Sequence, residues 1–310
     1  MIRFFLGLAQ ATFALVVLTF STQVAVSQTY YWNPPDGGSG VWDLSTQSWS
    51  TLPSGTANTA WPNIGSNAPH DAVFAGTPGT VQIGGTINAN VVRFETNGYS
   101  IGNLAGQLAA RGFDTGPNSA TVSGGLAGSN GFEKYGSGVL TLTGLNILLQ
   151  GPIRVQQGTL VADGFNTVPS ATSVIVGDGA KLVVNNPSAF SSSTPIDLTI
   201  HGGNYENASL LPSGPTFRNL FLDGANVITN TSELVIRNSI VTRGAASSII
   251  ESGRGIRFEL TPNLPLGGTL SPLVVHDVTN DASADLTIQS AGTSNAFFNV
   301  NSTPYIFKTG

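Results

Sequence analysis

Four aspartates in the middle of the chain, Asp163, Asp178, Asp197 and Asp223, are the first candidates for chemistry. Enzymes that hydrolyse polysaccharides use two carboxyl groups about 5 to 9.5 Å apart, one of which donates a proton. Stacked corners of a repeat protein could align such aspartates. Most of them stand beside glycine in an apparent turn, where a bond from the side chain to the backbone is the commoner role. We expect that structural role and name no catalytic residue.

Other reaction classes find little support in the residues. A lyase would need basic residues near a calcium site, and the basic residues show no recognisable motif. The three histidines are far apart in sequence and lack the spacing of zinc ligands. The stretch VGDGAK around Asp178 is a single copy of a pattern that binds calcium only in tandem, and no G-x-S-x-G serine elbow occurs. We expect no cofactor and no metal. The basic residues are Arg154, Lys181, Arg218, Arg237, Arg243, Arg254 and Arg257, and the histidines are His70, His201 and His276.

Charge and cysteine content narrow the class of partner. Charged residues make up 9% of the chain, against about 25% in ordinary soluble domains. With 12 Lys and Arg against 17 Asp and Glu and no basic cluster, the chain lacks the electrostatic footprint of a nucleic-acid-binding protein. There is no cysteine, so stability must come from burial and backbone pairing.

The first residues predict export. Arg3 is followed by an apolar run through Phe20 and by small residues at Ala25 and Ser27. This order is typical of a secretory signal peptide that spans residues 1–27 and is cut after Ser27. A signal anchor is the alternative, because the apolar run approaches membrane-spanning length. We expect an exported protein at the extracellular or outer-membrane surface.

The rest of the chain predicts short strands and hardly any helix. Glycine occurs 38 times, and Thr, Ser, Asn and Val fill the spaces between glycines. This composition disfavours helix and suits a pleated surface. The fold class is therefore all-β. The predicted strands are Thr80–Ile83, Val91–Phe94, Gly138–Thr143, Ile153–Val155, Thr159–Ala162, Ser173–Val176, Lys181–Val184, Ile196–Ile200, Leu220–Leu222, Glu233–Ile236, Ile256–Leu260, Leu273–Val275 and Asp285–Gln289.

Two all-β architectures remain open from the residues alone. A sandwich would pair the strands as antiparallel hairpins with two-residue turns. A parallel β-helix would turn through short corners and stack equivalent residues at the strand spacing of about 4.8 Å. Corners such as VQQGTLV and VIVGDGAKLVV favour the solenoid. With coils of roughly 20 residues, the mature chain would make on the order of a dozen coils.

All four tryptophans lie near the start of the mature chain. They are Trp32, Trp42, Trp49 and Trp61. Such aromatic residues can stack on sugar rings, or they can close the open end of a solenoid, which would otherwise expose its core. We favour the cap. The expected organisation is an N-terminal cap segment over residues 28–70 and a β-helix repeat region over residues 71–310.

The stretch GSGVLTLTGLN, followed by GPIRVQQGTLVADG, resembles the autotransporter-associated β-strand repeat, also described as a passenger-associated transport repeat. The segment between the two halves, ILLQGPI, departs from that pattern and leaves its corner unpredicted. The resemblance covers residues 132–164. The matching residues are Lys134, Gly136, Gly138, Leu140, Leu142, Gly144 and Asn146 in the first half and Val155, Gly158 and Leu160 in the second.

The leader of the repeat region adds to the resemblance. Asp71, Phe74, Val81, Phe94, Gly98, Tyr99 and Ile101 hold places that are similar to the segment preceding such repeats in large bacterial surface proteins. The last residues, IFKTG, resemble the opening of the repeat, FEKYG. We therefore expect a C-terminally truncated repeat region. The resemblance implies a right-handed parallel β-helix that serves in secretion or surface display, with an outer-membrane translocation barrel as partner in a longer autotransporter.

These observations lead to one expected function and two alternatives. We expect a non-catalytic, adhesin-like passenger scaffold whose coils fold one after another, each templating the next. The first alternative is a secreted β-helical polysaccharide lyase or hydrolase. The second is a glycan-binding module that uses the tryptophans, so a surface glycan or polysaccharide stays a candidate partner.

Overall fold

The computed structural model describes twelve stretches of the chain, and for the short C-terminal stretches 273–276, 298–300 and 306–309 it describes the backbone. The predicted signal peptide therefore lies outside the described residues except for Ser27. The corner in ILLQGPI is described only in part. The described residues are 27–33, 38–63, 69–103, 106–144, 148–164, 171–191, 194–212, 214–258, 273–276, 284–290, 298–300 and 306–309.

Strands dominate the described residues, and the helical content is one 3-10 turn at Pro187–Ala189. The strands are β1 Thr29–Trp32, β2 Gly40–Trp42, β3 Trp49–Ser50, β4 Asp71–Phe74, β5 Thr80–Ile83, β6 Thr86–Phe94, β7 Tyr99–Asn103, β8 Gln107–Asp114, β9 Ser119–Val122, β10 Ala127–Gly128, β11 Phe132–Tyr135, β12 Val139–Leu142, β13 Leu148–Leu149, β14 Gly151–Val155, β15 Thr159–Ala162, β16 Ala171–Val176, β17 Lys181–Val184, β18 Ile196–His201, β19 Asn204–Asn207, β20 Thr216–Asp223, β21 Asn226–Thr229, β22 Leu234–Thr242, β23 Ser248–Ser252, β24 Ile256–Phe258, β25 Leu273–His276, β26 Leu286–Ser290, β27 Phe298–Val300 and β28 Ile306–Thr309.

The strands form two long sheets that the chain visits in turn. The first sheet has 15 strands, the second has 11, and β10 pairs with β13 in a small third sheet. Within the long sheets, each strand pairs in parallel with a strand of the next coil. From Ala72 to Thr242 the partner lies 19 to 24 positions further along the chain. Near the C-terminus the spacing rises to between 33 and 42, as in the pairs Val241 with Val274 and Ile256 with Phe298.

This pairing confirms the parallel β-helix and excludes the sandwich. Antiparallel pairing among the described residues is confined to the N-terminus, where β3 pairs with β1 and Trp49 bridges to Thr59. In the described residues the second sheet takes one strand from each coil and has 11 strands, which is close to the dozen coils that the sequence predicts. The right-handed winding stays a prediction from the resemblance.

Equivalent aliphatic side chains stack along the axis, as the alternation in the repeat predicts. Leu140 and Leu142 are 0% exposed, and Thr141 between them points to the outer surface. One inward column of the second sheet, built on parallel register, is almost wholly apolar. Stacking of like residues gives each coil its core only through its neighbours. The members of this column are Tyr99, Ala120, Leu140, Leu160, Leu182, Tyr205, Val227 and Ile250.

The neighbouring inward column changes from aliphatic to polar toward the C-terminus. Val184 is followed in the next three coils by Asn207, Thr229 and Ser252, all of them buried. Asn207 Nδ2 donates to Ser232 Oγ at 2.6 Å, and the hydroxyls of Thr229 and Ser252 lie 2.7 Å apart. These bonds satisfy the side chains of Asn207, Thr229 and Ser252 inside the rod, where an unpaired group would be costly.

The four tryptophans form the interior of the N-terminal cap. They are between 0% and 4% exposed, and the rings of Trp42, Trp49 and Trp61 lie 4.8 to 5.0 Å apart between centroids. Strand β3 covers the edge of β1, which would otherwise present unpaired backbone groups. The structure thus builds the cap and leaves no tryptophan face available for a sugar. The domain boundaries at residues 27 and 70 stay predictions.

Candidate interaction edge

In three successive coils, the two edges of the solenoid differ sharply in the length of their connections. Segments that lead from the first sheet to the second form what we call the tight edge, for example 156–158 and 202–203. Segments that lead from the second sheet back to the first form the loop edge. On this edge three successive coils carry long connections, namely 163–170, 185–195 and 208–215.

Glycine makes the tight edge possible. Gly158 has a φ of +63° and packs against the carbonyl oxygens of Gly136 and Gly138 in the preceding coil. A side chain there would be strained and would collide with the backbone. Hydrogen bonds between backbone groups run from corner to corner, such as Gly179 N to Gly202 O at 3.0 Å. The tight edge therefore has little room to vary. Glycines with positive φ recur on it at Gly136, Gly158, Gly179, Gly202, Gly224 and Gly244.

The connection 208–215 on the loop edge is held in place by its neighbours in the described part of the chain. Ser209 O accepts a hydrogen bond from Thr231 Oγ1 at 3.0 Å, and Pro212 O accepts one from Glu233 N at 3.1 Å. Ser209 Oγ also accepts from Leu211 N at 3.0 Å. The connection is thereby fixed to the following coil on both sides of Leu211.

This fixed loop presents two leucines to solvent. Leu210 is 87% exposed and Leu211 is 55% exposed, so Leu210 is the most exposed of the large hydrophobic side chains in the described residues. Most large aliphatic side chains elsewhere in the described rod are buried in its core, whereas these two leucines are not. Contiguous exposed apolar side chains on a rigid loop are characteristic of contact sites.

The three long connections of the loop edge are also almost free of charge. Among residues 163–170, 185–195 and 208–215, the sequence has one ionisable side chain, that of Asp163. The remaining residues are small, hydroxylated or apolar. This edge can therefore offer apolar contact and neutral hydrogen bonds, and it has little with which to attract a phosphate or a strongly charged surface.

Charged residues lie on the outer sheet faces and pair between neighbouring coils. Arg218 Nε and Nη2 donate to the Asp197 carboxylate at 2.9 and 2.7 Å, and Asn219 Nδ2 adds a third bond at 2.8 Å. Burial works toward a higher pKa of Asp197, but Arg218 and Asn219 outweigh it and hold the pKa below its usual value. Lys181 with Glu206, Arg257 with Glu233 and Arg93 with Asp114 form further pairs.

The four aspartates do not meet in one site. Asp163 lies on the loop edge, Asp197 points outward from β18, and Asp178 and Asp223 lie on tight-edge corners two coils apart. Asp223 Oδ1 accepts from Ala245 N at 3.2 Å, a bond between side chain and backbone that joins its corner to the corner of the following coil. Asp197 differs from the prediction, because it belongs to a cross-coil ladder on a strand and to no turn.

The histidines and the other possible metal ligands form no metal-binding centre in the described residues. His70 is buried against Tyr30, and its Nδ1 accepts from Gln28 N at 3.0 Å. His201 Nδ1 lies 3.5 Å from Asp223 Oδ2, and His276 lies in β25, where only the backbone is described. No group of three metal-binding side chains occurs within the described stretches. No helix in these stretches is long and apolar enough to cross a membrane.

The comparison with known proteins gives one strong similarity. The chain is 36% identical over 180 residues to the adhesin BmaC autotransporter of Brucella suis biovar 1 (strain 1330). The alignment covers 54% of this chain and 5% of the adhesin, so the chain corresponds to a small part of that protein's length. No family model matches the chain, and no solved structure matches it.

The resemblance to autotransporter passenger repeats is confirmed. It now depends on two independent observations, the similarity to an autotransporter adhesin and the parallel coils of the solenoid. The similarity also supports an exported protein at the extracellular or outer-membrane surface. Sequence reasoning predicted the repeat but missed the loop edge, for which the signal was available in the long uncharged segments between predicted strands.

Proposed function

We propose that the chain is an adhesin-like scaffold within an autotransporter passenger and that the loop edge makes its adhesive contact. The single observation that carries this proposal is the similarity of about half of the chain to an autotransporter adhesin, in a chain that folds as stacked coils. A rigid rod displays loops away from the cell, and insertions in repeat proteins concentrate on the binding face. An outer-membrane translocation barrel is the partner that such a passenger requires.

The proposed scaffold is non-catalytic. Asp197, one of the four candidate aspartates, forms an ion pair with Arg218 on the outer face of its sheet. A glycan ligand has no support from the tryptophans, because they are buried in the cap. Incubation with neutral and acidic polysaccharides should release no reducing ends and no unsaturated products, and such products would contradict the non-catalytic role.

The adhesive role is tested on the surface of a bacterium. Residues 28–310 are fused to an autotransporter barrel, and surface display is measured with an antibody before adhesion to host cells is counted. Burying Leu210 and Leu211 fully should contribute about 3 kcal/mol, or about a hundredfold in affinity. We therefore expect Leu210→Ser with Leu211→Ser to keep display and lose adhesion.

The matched control is Leu44→Ser with Leu52→Ser, which removes two exposed leucines, 49% and 64% exposed, from the N-terminal segment. This control should adhere like the unmodified chain. Equal adhesion by the Leu210 and Leu211 variant would refute the loop edge as the contact. Display without any adhesion by the unmodified chain would refute the adhesive role itself.

A further inference from the structure

One charged side chain lies in the hydrophobic core of the rod. Lys134 is 0% exposed and belongs to an inward column of the first sheet. In the coils before and after it, the same position is taken by Phe113 and Val155. No other member of the column is charged. The column consists of Ala72, Val92, Phe113, Lys134, Val155, Val176, Ile200, Leu222 and Thr242.

The ammonium group of Lys134 reaches three backbone carbonyl oxygens at the tight edge. Nζ donates to Tyr135 O at 2.8 Å, to Gly136 O at 2.7 Å and to Gln157 O at 3.1 Å. An ammonium has three protons and needs three acceptors. The corner supplies that number, so the charge is buried with every proton bonded.

The three acceptors come from two different coils. Tyr135 and Gly136 belong to the corner that Lys134 itself enters, whereas Gln157 belongs to the corresponding corner one coil later. Backbone hydrogen bonds join the same two coils in the opposite direction. Gln156 N and Gln157 N of the following coil both donate to Lys134 O, at 2.9 and 3.3 Å. The ammonium group of Lys134 therefore has all three of its acceptors only when the following coil is docked.

Before that coil docks, the same lysine is a liability. Its stem occupies the core column, and its head has two acceptors for three protons. In the complete rod, burial lowers the pKa of Lys134 to about 8, while the negative charge of Asp114 on β8 works to raise it. A charge that is buried without its full set of partners is strongly destabilising. Neighbouring Glu133 and Arg154 interact with each other on the outer face.

We propose that Lys134 is a folding checkpoint, at which one coil closes its corner only after the following coil has supplied the carbonyl oxygen of Gln157. This gives the repeat motif a physical role, since Lys134, Gly136 and Gly138 together build the corner. It goes beyond the adhesive function, because it concerns the order in which the rod assembles. The uncharged residues at the equivalent positions of other coils impose no such dependence.

The first test replaces the charge and keeps the stem. In Lys134→Met, made in residues 28–310, the side chain still fills the core column, because Met and Lys have similar length. Hydrogen exchange read by mass spectrometry should show the amides of Gln156 and Gln157 exchanging about tenfold faster. Lys181→Met, which removes a surface lysine paired with Glu206, should leave these amides unchanged.

The second test asks whether the dependence between coils disappears with the charge. Ile153→Ala weakens the following coil, where Ile153 stacks under Phe132. In the otherwise unmodified chain, the loss should spread back and speed exchange about tenfold at the amides of Gly138 and Val139, which bond to the preceding coil. In the Lys134→Met background, the same change should speed exchange there less than about threefold.

Each outcome of these tests decides the proposal. Local acceleration in Lys134→Met together with the missing spread in the double variant supports the checkpoint. Unchanged exchange at Gln156 and Gln157 overturns it. Loss of protection in every coil of Lys134→Met also overturns it, because Lys134 would then be an ordinary core residue. Equal spread from Ile153→Ala in both backgrounds overturns the dependence on the charge.

Discussion

The inward and outward faces of strand β12 can be distinguished by introducing aspartate at two neighbouring positions. Leu142→Asp places a carboxylate at a position that is 0% exposed, between Val122 of the preceding coil and Ala162 of the following one. Thr141→Asp places the same group on the outer surface one residue away, where its partners are Thr121 and Val161.

The expected magnitudes differ by several kcal/mol. Truncating a buried leucine to alanine costs about 2 to 5 kcal/mol through lost burial and the cavity that remains. A buried carboxylate without a partner adds a further cost of several kcal/mol. Leu142→Asp should therefore lower the free energy of unfolding by about 5 kcal/mol or more, which is comparable with the whole stability of many domains. Thr141→Asp should cost about 1 kcal/mol, because aspartate fits strands poorly.

The assay is urea unfolding of residues 28–310, followed by far-ultraviolet circular dichroism. Leu142→Ala serves as an intermediate variant that separates the lost packing from the added charge. We expect the order Thr141→Asp, Leu142→Ala, Leu142→Asp from the mildest to the most severe. Similar midpoints for the two aspartate variants would refute the inward orientation of Leu142 and, with it, the stacked core.

Three further predictions concern the corners, the polar interior and the cap. Gly138→Ala should strongly destabilise the chain, because its Cβ would collide with the backbone of Asn118, whereas Gly85→Ala meets open space and should leave the thermal midpoint nearly unchanged. Ser232→Ala should cost about 1 to 3 kcal/mol in urea unfolding, since it leaves the buried amide of Asn207 without its hydroxyl partner; a neutral result would contradict the buried network. The four tryptophans should resist quenching by acrylamide, and their emission should not respond to added polysaccharide; a quenched signal would mean that the cap is open.

Local patterns predicted the strands where polar and apolar residues alternate between glycines. Thr80–Ile83, Thr159–Ala162 and Lys181–Val184 have the predicted bounds, because each contains β-branched residues and follows a glycine-containing corner. Strand β8 was missed, since the run QLAARGFD is rich in residues that favour helix. Its strand conformation comes from pairing with β6 and β11 on either side.

Polar residues in inward positions could not be predicted from their own chemistry. Asn207 and Ser252 face the interior because the register of the sheet places them there, and their partners come from the corner segments that follow them. Lys134 is the extreme case. The motif identified its place in the repeat, but a lone lysine normally predicts a solvated side chain, and its three acceptors become visible only in three dimensions.

Because the two edges differ, we expect the sequence to tolerate changes unequally. Substitutions at the glycine corners of the tight edge should be poorly tolerated, and changes in the long connections of the loop edge should be well tolerated. Glycine corners on one side pack against the backbone of the neighbouring corners, so a side chain added at such a glycine would collide with a neighbouring coil. Residues added on the opposite side only lengthen a loop. New recognition properties can therefore arise by local insertion while the backbone scaffold is inherited unchanged, and the same side offers sites at which foreign epitopes could be grafted.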